Sequence, residues 1–179
     1  MGKKLFMFDL DNTLIKTNRA NNESYKEAIK TVTGKTLKLE SQRFTRVELS
    51  QIMPDLSDTQ ISEIVMEKER CYEKFISETI LNKQLANLLV ALNEEGCETV
   101  LLTESCKKRA EQLCNYYLLT KCFSSRYFKE DYPNSDKYSF LKQRLSTLQS
   151  IILFENDPLE ISRAISNGIP EKSIIVVNF

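Results

Sequence analysis

The sequence predicts an α/β protein, a doubly wound and mostly parallel sheet with an all-helical cap inserted after its first strand. Three observations carry this. Short apolar runs with little alternation recur at Leu5–Phe8, Thr99–Leu102, Ile151–Phe154 and Ile174–Val177, as expected of strands covered on both faces of a parallel sheet. From residue 84 onward these runs alternate with stretches of helical periodicity, the pattern of βα repeats. Between Leu14 and about Leu81 the alternation stops, and only helical periodicity remains.

The elements follow in order. Leu5-Phe6-Met7-Phe8 is the first strand, stopped by Asp9. Asn22–Val32 repeats apolar residues at Tyr25, Ala28, Ile29 and Val32, and Gly34 follows as a helix stop. Pro54 separates a short helix from one opened by Ser57 and Gln60, a capping box. That second helix is expected to run to about Ile80, with Ile61, Ile64, Val65, Tyr72, Phe75 and Ile76 inward. Gln84–Glu95 places Leu85, Leu88, Leu89 and Leu92 on one face and stops at Gly96. Lys107–Leu119 carries Ala110, Leu113, Cys114, Tyr117 and Leu118, and a weaker strand signal lies near Cys122–Phe128. Tyr138–Leu145 and Leu159–Asn167 complete the helices, the latter ended by Gly168. Helices inserted after the first strand are expected to stand over the carboxyl ends of the strands, where such sheets bind ligands.

Composition narrows the function. At 179 residues the chain fits one domain, or a core with an inserted subdomain. Lys+Arg and Asp+Glu are both 25, so no net charge draws the chain to nucleic acid or a membrane surface. No stretch is long and apolar enough for a membrane span, and the apolar run behind Gly2-Lys3-Lys4 is too short for a signal peptide. The five cysteines contain no CxxC pair and are odd in number, so they read as reduced, mostly buried thiols of a cytoplasmic protein. Cys106 is read as a core thiol of this kind. The chain has no histidine, which excludes Ser-His and Cys-His nucleophiles and imidazole zinc sites.

Asp9-Leu10-Asp11-Asn12-Thr13 carries the chemistry. Two carboxylates two residues apart at a strand end point to the same side of the sheet. Their oxygens are hard ligands suited to Mg²⁺. One of them can attack phosphorus while the other handles the leaving group's proton. The later strands also end in polar residues, Thr103-Glu104-Ser105 and Glu155-Asn156-Asp157, and Ser135-Asp136-Lys137 opens a helix. One sheet edge is therefore expected to gather Asp9, Asp11, Thr103, Lys137 and Glu155, a set suited to a phosphate and a divalent cation. Asp157 before Pro158 reads as an N-cap, with Glu160 as its N3 partner.

In order and spacing the chain resembles the haloacid dehalogenase-like hydrolase superfamily throughout its length. Asp9-Leu10-Asp11-Asn12-Thr13 matches the first motif, Thr103 after an apolar strand the second, and Lys137 the third, without the frequent Lys-Pro pair. The fourth motif departs from the pattern: Glu155 and Asn156 stand where the family usually has two acids. The resemblance implies a Rossmann-like catalytic core of residues 1–15 and 82–179 with a helical cap of residues 16–81. It implies Asp9 as nucleophile and metal ligand, Asp11 as acid and base with its backbone carbonyl on the metal, and Thr103 and Lys137 on the phosphoryl group. Glu155 and Asn156 would complete the Mg²⁺ site, with affinity weakened by the neutral Asn.

Asp11 separates the possible activities. By resemblance, members that cleave carbon–halogen bonds carry another residue there, and P-type pumps carry Thr. The expectation is therefore an Mg²⁺-dependent phosphomonoester hydrolase acting on a small phosphorylated metabolite, with an aspartyl-phosphate intermediate. A non-catalytic binding relative with a decayed metal site is one alternative, supported by Glu155-Asn156. A phosphotransferase or mutase, sharing the first half-reaction, is another. Which of Asn18, Asn21, Asn22, Arg43 and Arg46 meets a substrate stays open at this stage, as does oligomeric state.

Overall fold

A computed structural model describes residues 4–39, 42–144 and 151–179. The chain forms two compact units, one of Met1–Ile15 with Leu81–Phe179 and one of Lys16–Ile80. The expected helix end at Leu145 and the Gly2-Lys3 pair lie outside the described residues.

The first unit is built on a five-stranded parallel sheet, the doubly wound α/β fold that the sequence predicts. Its strands are β1 (Leu5–Phe8), β4 (Glu98–Leu102), β5 (Ser125–Tyr127), β6 (Ile151–Glu155) and β7 (Ile174–Val176). Their order is β5-β4-β1-β6-β7. β1 is central, with Phe8 opposite Leu101 on one side and Phe154 on the other. The chain winds outward through β4 and β5, then returns to β6 and β7 across β1. The strand order thus reverses at β1, and the crevice outside its carboxyl end is the place where such sheets bind ligands. The remaining two strands, β2 (Ile15–Lys16) and β3 (Ile80–Leu81), pair in a two-residue ribbon where the chain passes between units.

Both sheet faces are covered. Leu5, Met7, Val100, Leu102, Ile151 and Leu153 pack with Tyr138, Leu141, Ala164 and Ile169. On the other face, Phe8 stacks on Phe154 at 4.7 Å and meets Phe123 edge-on at 6.2 Å. Ile175 and Val176 on the edge strand β7 stay about half exposed, so this run is less buried than its composition suggests.

The helices of this unit are α4 (Lys83–Glu94), α5 (Lys107–Tyr116), α6 (Lys137–Arg144) and α7 (Pro158–Ser166). The Asn82 side chain accepts from Leu85 N–H to start α4, and Gly96 (φ 71°) follows its end. α5 ends before the expected Leu119, because Leu118 turns left-handed (φ 59°) and Leu119 N–H donates to the Cys114 carbonyl. This C-terminal capping geometry usually falls on glycine, and Leu gives no sequence signal for it. At α7, Asp157 accepts from Leu159 N–H at 2.8 Å as the N-cap. Glu160 does not reach back to that cap. Its carboxylate turns instead to Arg163 and Lys137.

The second unit contains α1 (Asn18–Thr33), α2 (Arg46–Ile52) and α3 (Asp58–Cys71), around a core that includes Tyr25, Ile29, Phe44, Leu49, Ile61 and Ile64. The Ser57–Gln60 capping box opens α3. The α-helix stops at Cys71, short of the expected Ile80, and continues as a 3₁₀ turn over Tyr72–Glu78. A tighter final stretch is a common way for a helix to finish, and periodicity alone does not distinguish it. Among the described residues no helix is long and apolar enough to cross a membrane.

Candidate active site

The turn after β1 builds the floor of the site. The Leu10 carbonyl accepts from the N–H groups of Leu14 and Ile15, and Asn12 N–H donates to the Ile15 carbonyl at 2.7 Å. Asn12 is left-handed there (φ 60°), a conformation that Asn tolerates better than most residues. Leu10, Thr13 and Leu14 are buried, which anchors the turn and leaves Asp9 and Asp11 at the sheet edge. The Thr13 hydroxyl donates to Asn156 Oδ1 at 2.9 Å and ties this turn to the one after β6.

Parallel register brings the other strand ends alongside. Asp9 N–H donates to the Phe154 carbonyl at 3.0 Å, so Asp9 lies beside Glu155. Thr103 lies one register step beyond Asp9 on β4's side, and its N–H donates to the Tyr127 carbonyl. The Thr103 hydroxyl accepts from Ser105 N–H at 3.1 Å, and its carbonyl accepts from the Tyr132 hydroxyl. Accepting through oxygen leaves the Thr103 O–H able to donate.

Lys137 joins these groups. It is the first residue of α6 and is 1 % exposed, and its ammonium donates to Asp9 Oδ1 at 3.0 Å and Glu155 Oε2 at 2.7 Å. Glu160 Oε2 stands 3.6 Å away. Burial disfavours the ammonium, but Asp9 and Glu155 outweigh it and hold the Lys137 pKa well above its ordinary value. Glu155 is fully buried and fully engaged. The Tyr138 hydroxyl donates to Oε2 at 2.9 Å, and the N–H groups of Asn156 and Asp157 donate to Oε1 at 2.9 and 3.2 Å. Burial, offset in part by Lys137, raises the Tyr138 pKa, so its proton stays in that bond.

The sequence assigns Glu155 to the metal. In the structure its carboxylate is turned onto Lys137, Tyr138 and the β6–α7 backbone, and ligating a cation would mean breaking those bonds. Asn156, the other expected ligand, directs its amide oxygen to Thr13. Asp11 has its own partners. Its Oδ2 accepts from the Ser105 hydroxyl and stands 3.6 Å from Arg109.

Sequence reasoning missed Tyr138, Ser105 and Arg109. Tyr138 reads only as an apolar helix position, since its partner Glu155 is distant in sequence. Ser105 and Arg109 carry a weak signal, an i,i+4 polar pair at a helix start.

Electrostatics in this pocket favour a cation. Asp9, Asp11, Glu155 and Glu160 are opposed by three cationic side chains, Lys137, Arg109 and the more exposed Arg163. Burial is the largest influence on Asp9; Lys137 lowers its pKa, Glu155 and Asp11 raise it, and the carboxyl is pushed up to about 8. Glu104, at the mouth of the same edge, is raised by burial and by Glu160. A hard divalent cation would supply the missing positive charge, and the Asp9 carboxylate, Asp11 and the Asn156 amide offer oxygen donors. Among the described residues, no three His, Cys, Asp or Glu side chains converge as a ready cage. A cation here would therefore lean on amide and backbone oxygens.

The sequence matches the haloacid dehalogenase-like hydrolase family over residues 6–170. The chain belongs to the haloacid dehalogenase-like hydrolases. Members of this family typically use a metal ion. Among solved structures, CbbY from Rhodobacter sphaeroides in complex with phosphate aligns at 14% identity and a TM-score of 0.80, covering 99% of this chain and 87% of that one. A variant of the same protein in complex with xylulose-1,5-bisphosphate aligns equally well. A haloacid dehalogenase-like hydrolase from Entamoeba histolytica aligns at 22% identity and a TM-score of 0.73, covering 92% and 81%. These likenesses show a common Rossmann-like α/β fold. A search of the curated proteins finds no match.

Proposed function

We propose that this haloacid dehalogenase-like hydrolase is an Mg²⁺-dependent phosphomonoesterase acting on a small phosphorylated metabolite. One observation carries the reading. Asp9, at the end of the central strand, has one carboxylate oxygen held by buried Lys137, while the Asp11 carboxylate is anchored separately two residues on. A nucleophile and a proton donor are thereby presented from one short turn.

In this reading an Asp9 oxygen attacks phosphorus as the bond to the leaving oxygen breaks, and Asp11 gives that oxygen its proton. Water then attacks the aspartyl-phosphate, Asp11 takes the water's proton, and Asp9 is released with inorganic phosphate. Lys137 serves twice, steadying Asp9 and facing the phosphoryl oxygens, where Thr103 can add its hydroxyl. Bound Mg²⁺, held by Asp9, the Asp11 backbone and Asn156, would neutralise phosphoryl charge and keep Asp9 ionised. Glu155 acts through Lys137, by fixing the ammonium, and not as a ligand. A small soluble metabolite suits a chain with a second helical unit inserted after the first strand, and CbbY's complex with a sugar bisphosphate is consistent with that class.

The test is hydrolysis of p-nitrophenyl phosphate and a panel of sugar phosphates with and without Mg²⁺. Activity is expected with Mg²⁺, and Asp9→Asn should remove it while the fold survives. More than a few per cent residual rate in a clean preparation would rule out Asp9 as nucleophile. A second reading, a non-catalytic binding relative, draws on the neutral Asn156 and its bond to Thr13. It gains the field if no ester is cleaved at tens of millimolar Mg²⁺. Phosphoryl transfer to an added sugar acceptor, in place of water, would instead mark a phosphotransferase.

A further inference from the structure

We propose that Ser105 and Arg109 are positioning residues for Asp11, forming a guanidinium–hydroxyl–carboxylate chain that holds one Asp11 oxygen and so fixes the orientation in which the carboxyl exchanges its proton. This rests on the reading of Asp11 as acid and base.

The direction of the chain is dictated by what each group can do. Arginine only donates, and Arg109 Nη2 donates to Ser105 Oγ at 2.7 Å. A hydroxyl has one hydrogen, and that of Ser105 goes to Asp11 Oδ2. The Asp11 carboxyl is therefore held in one orientation through Oδ2. When the leaving oxygen departs, the O–H bond of Asp11 breaks and the new O–H bond forms at that oxygen. In the second half-reaction the water's proton returns to Asp11.

The chain is rigidly mounted. Ser105 is 1 % exposed, with its N–H on Thr103 Oγ1 and its carbonyl accepting from Lys129 N–H at 3.2 Å. Arg109 lies one helical turn further on and is buried, with its guanidinium also 3.6 Å from Asp11 Oδ2. It is the third residue of α5, behind Lys107 and Lys108, where the helix dipole disfavours cations, and the Asp11 carboxylate beside it offsets that cost.

The experiment compares phenyl phosphate, whose leaving group needs a proton, with p-nitrophenyl phosphate, whose leaving group needs little. The variants are Ser105→Ala, Arg109→Met, Arg109→Lys, the Ser105→Ala/Arg109→Met double variant and Asp9→Asn. We expect Ser105→Ala and Arg109→Met each to lower kcat about ten-fold more for phenyl phosphate than for p-nitrophenyl phosphate, a fraction of what general acid catalysis is worth. KM should move little, Arg109→Lys should recover part of the loss, and the double variant should be no worse than the poorer single one, because both break one chain. Equal losses on both esters, or additive losses, overturn the inference and leave the phosphatase reading intact. If Arg109→Met does not fold, Ser105→Ala alone decides. A wild type inactive on both esters, or an active Asp9→Asn, overturns the phosphatase reading, and this inference falls with it.

Discussion

Glu155 Oε2 lies 2.7 Å from Lys137 Nζ, with both side chains removed from solvent. A buried ion pair has little net worth against an apolar replacement, but removing one partner strands the other. Glu155→Gln leaves Lys137 with Asp9 at 3.0 Å and Glu160 at 3.6 Å, so the loss should fall near the lower end of the usual range, about 3 kcal/mol. Tyr138→Phe removes one hydrogen bond from the same oxygen and should cost about 1–2 kcal/mol. Urea denaturation with an unchanged m-value measures both. A Glu155→Gln change within about 0.5 kcal/mol of wild type, the scatter of ordinary surface substitutions, would show that the pair is not closed in solution.

Asp9 makes the metal-free protein sensitive to pH. Its carboxyl ionises near 3.8 in an unfolded chain and is pushed up to about 8 in the folded one, chiefly by burial. Between those values the folded state holds a proton that the unfolded state has lost, so this group's contribution to stability falls as pH rises through the window. Asp9→Asn carries no such proton. With a chelator present, its stability relative to wild type should grow from pH 4 to pH 8 and then level off. Saturating Mg²⁺ should shrink the difference, by supplying the charge that burial withholds. A difference that does not change with pH counts against a protonated, buried Asp9.

Much of this site is legible in the amino-acid sequence, and for one reason. In a parallel sheet the carboxyl ends of neighbouring strands share an edge, so a polar residue after each apolar run predicts an encounter. Asp9, Lys137 and Glu155 do meet within hydrogen-bond distance. What the one-dimensional pattern does not show is how each carboxylate is spent. Glu155's commitment to Lys137 and Tyr138 depends on how α6 packs against the sheet, and Arg109's bond to Ser105 on how the start of α5 turns toward Asp11. The ends of α3 and α5, which periodicity places too late, have the same origin. A left-handed Leu118 and a 3₁₀ finish at Tyr72–Glu78 are settled by packing, and nothing in the residue types announces them.

Asp157 should prove structural. Its Oδ1 accepts from Leu159 N–H at 2.8 Å and Pro158 follows as the first helical residue, so the carboxylate is occupied in starting α7. Asp157→Ala should cost about 1 kcal/mol, the usual worth of an N-cap. Mg²⁺ dependence of activity should stay unchanged. A clear drop in apparent Mg²⁺ affinity in that variant would move the metal site along the chain from where the proposed function puts it.

Asn156 offers the sharpest test of the metal site. Glu155 is fully engaged with Lys137, Tyr138 and backbone N–H groups, so the next donor along the β6–α7 turn is the Asn156 amide oxygen, aimed at Thr13. Hard cations bind more weakly as ligand charge falls, and affinities of sites poor in carboxylates reach roughly the millimolar range. The wild type should therefore need about millimolar Mg²⁺ for half-maximal activity. Asn156→Asp adds a carboxylate while keeping an oxygen that can accept from Thr13. It should tighten Mg²⁺ about ten-fold, an order-of-magnitude expectation from the charge count. Asn156→Ala should weaken it and also release the Thr13 hydroxyl. Titration of Mg²⁺ by calorimetry, alongside activity, separates binding from turnover. If Asn156→Asp leaves affinity unchanged while Glu155→Gln abolishes it, then Glu155 abandons Lys137 for the metal when the cation arrives, and the arrangement seen here is a resting one.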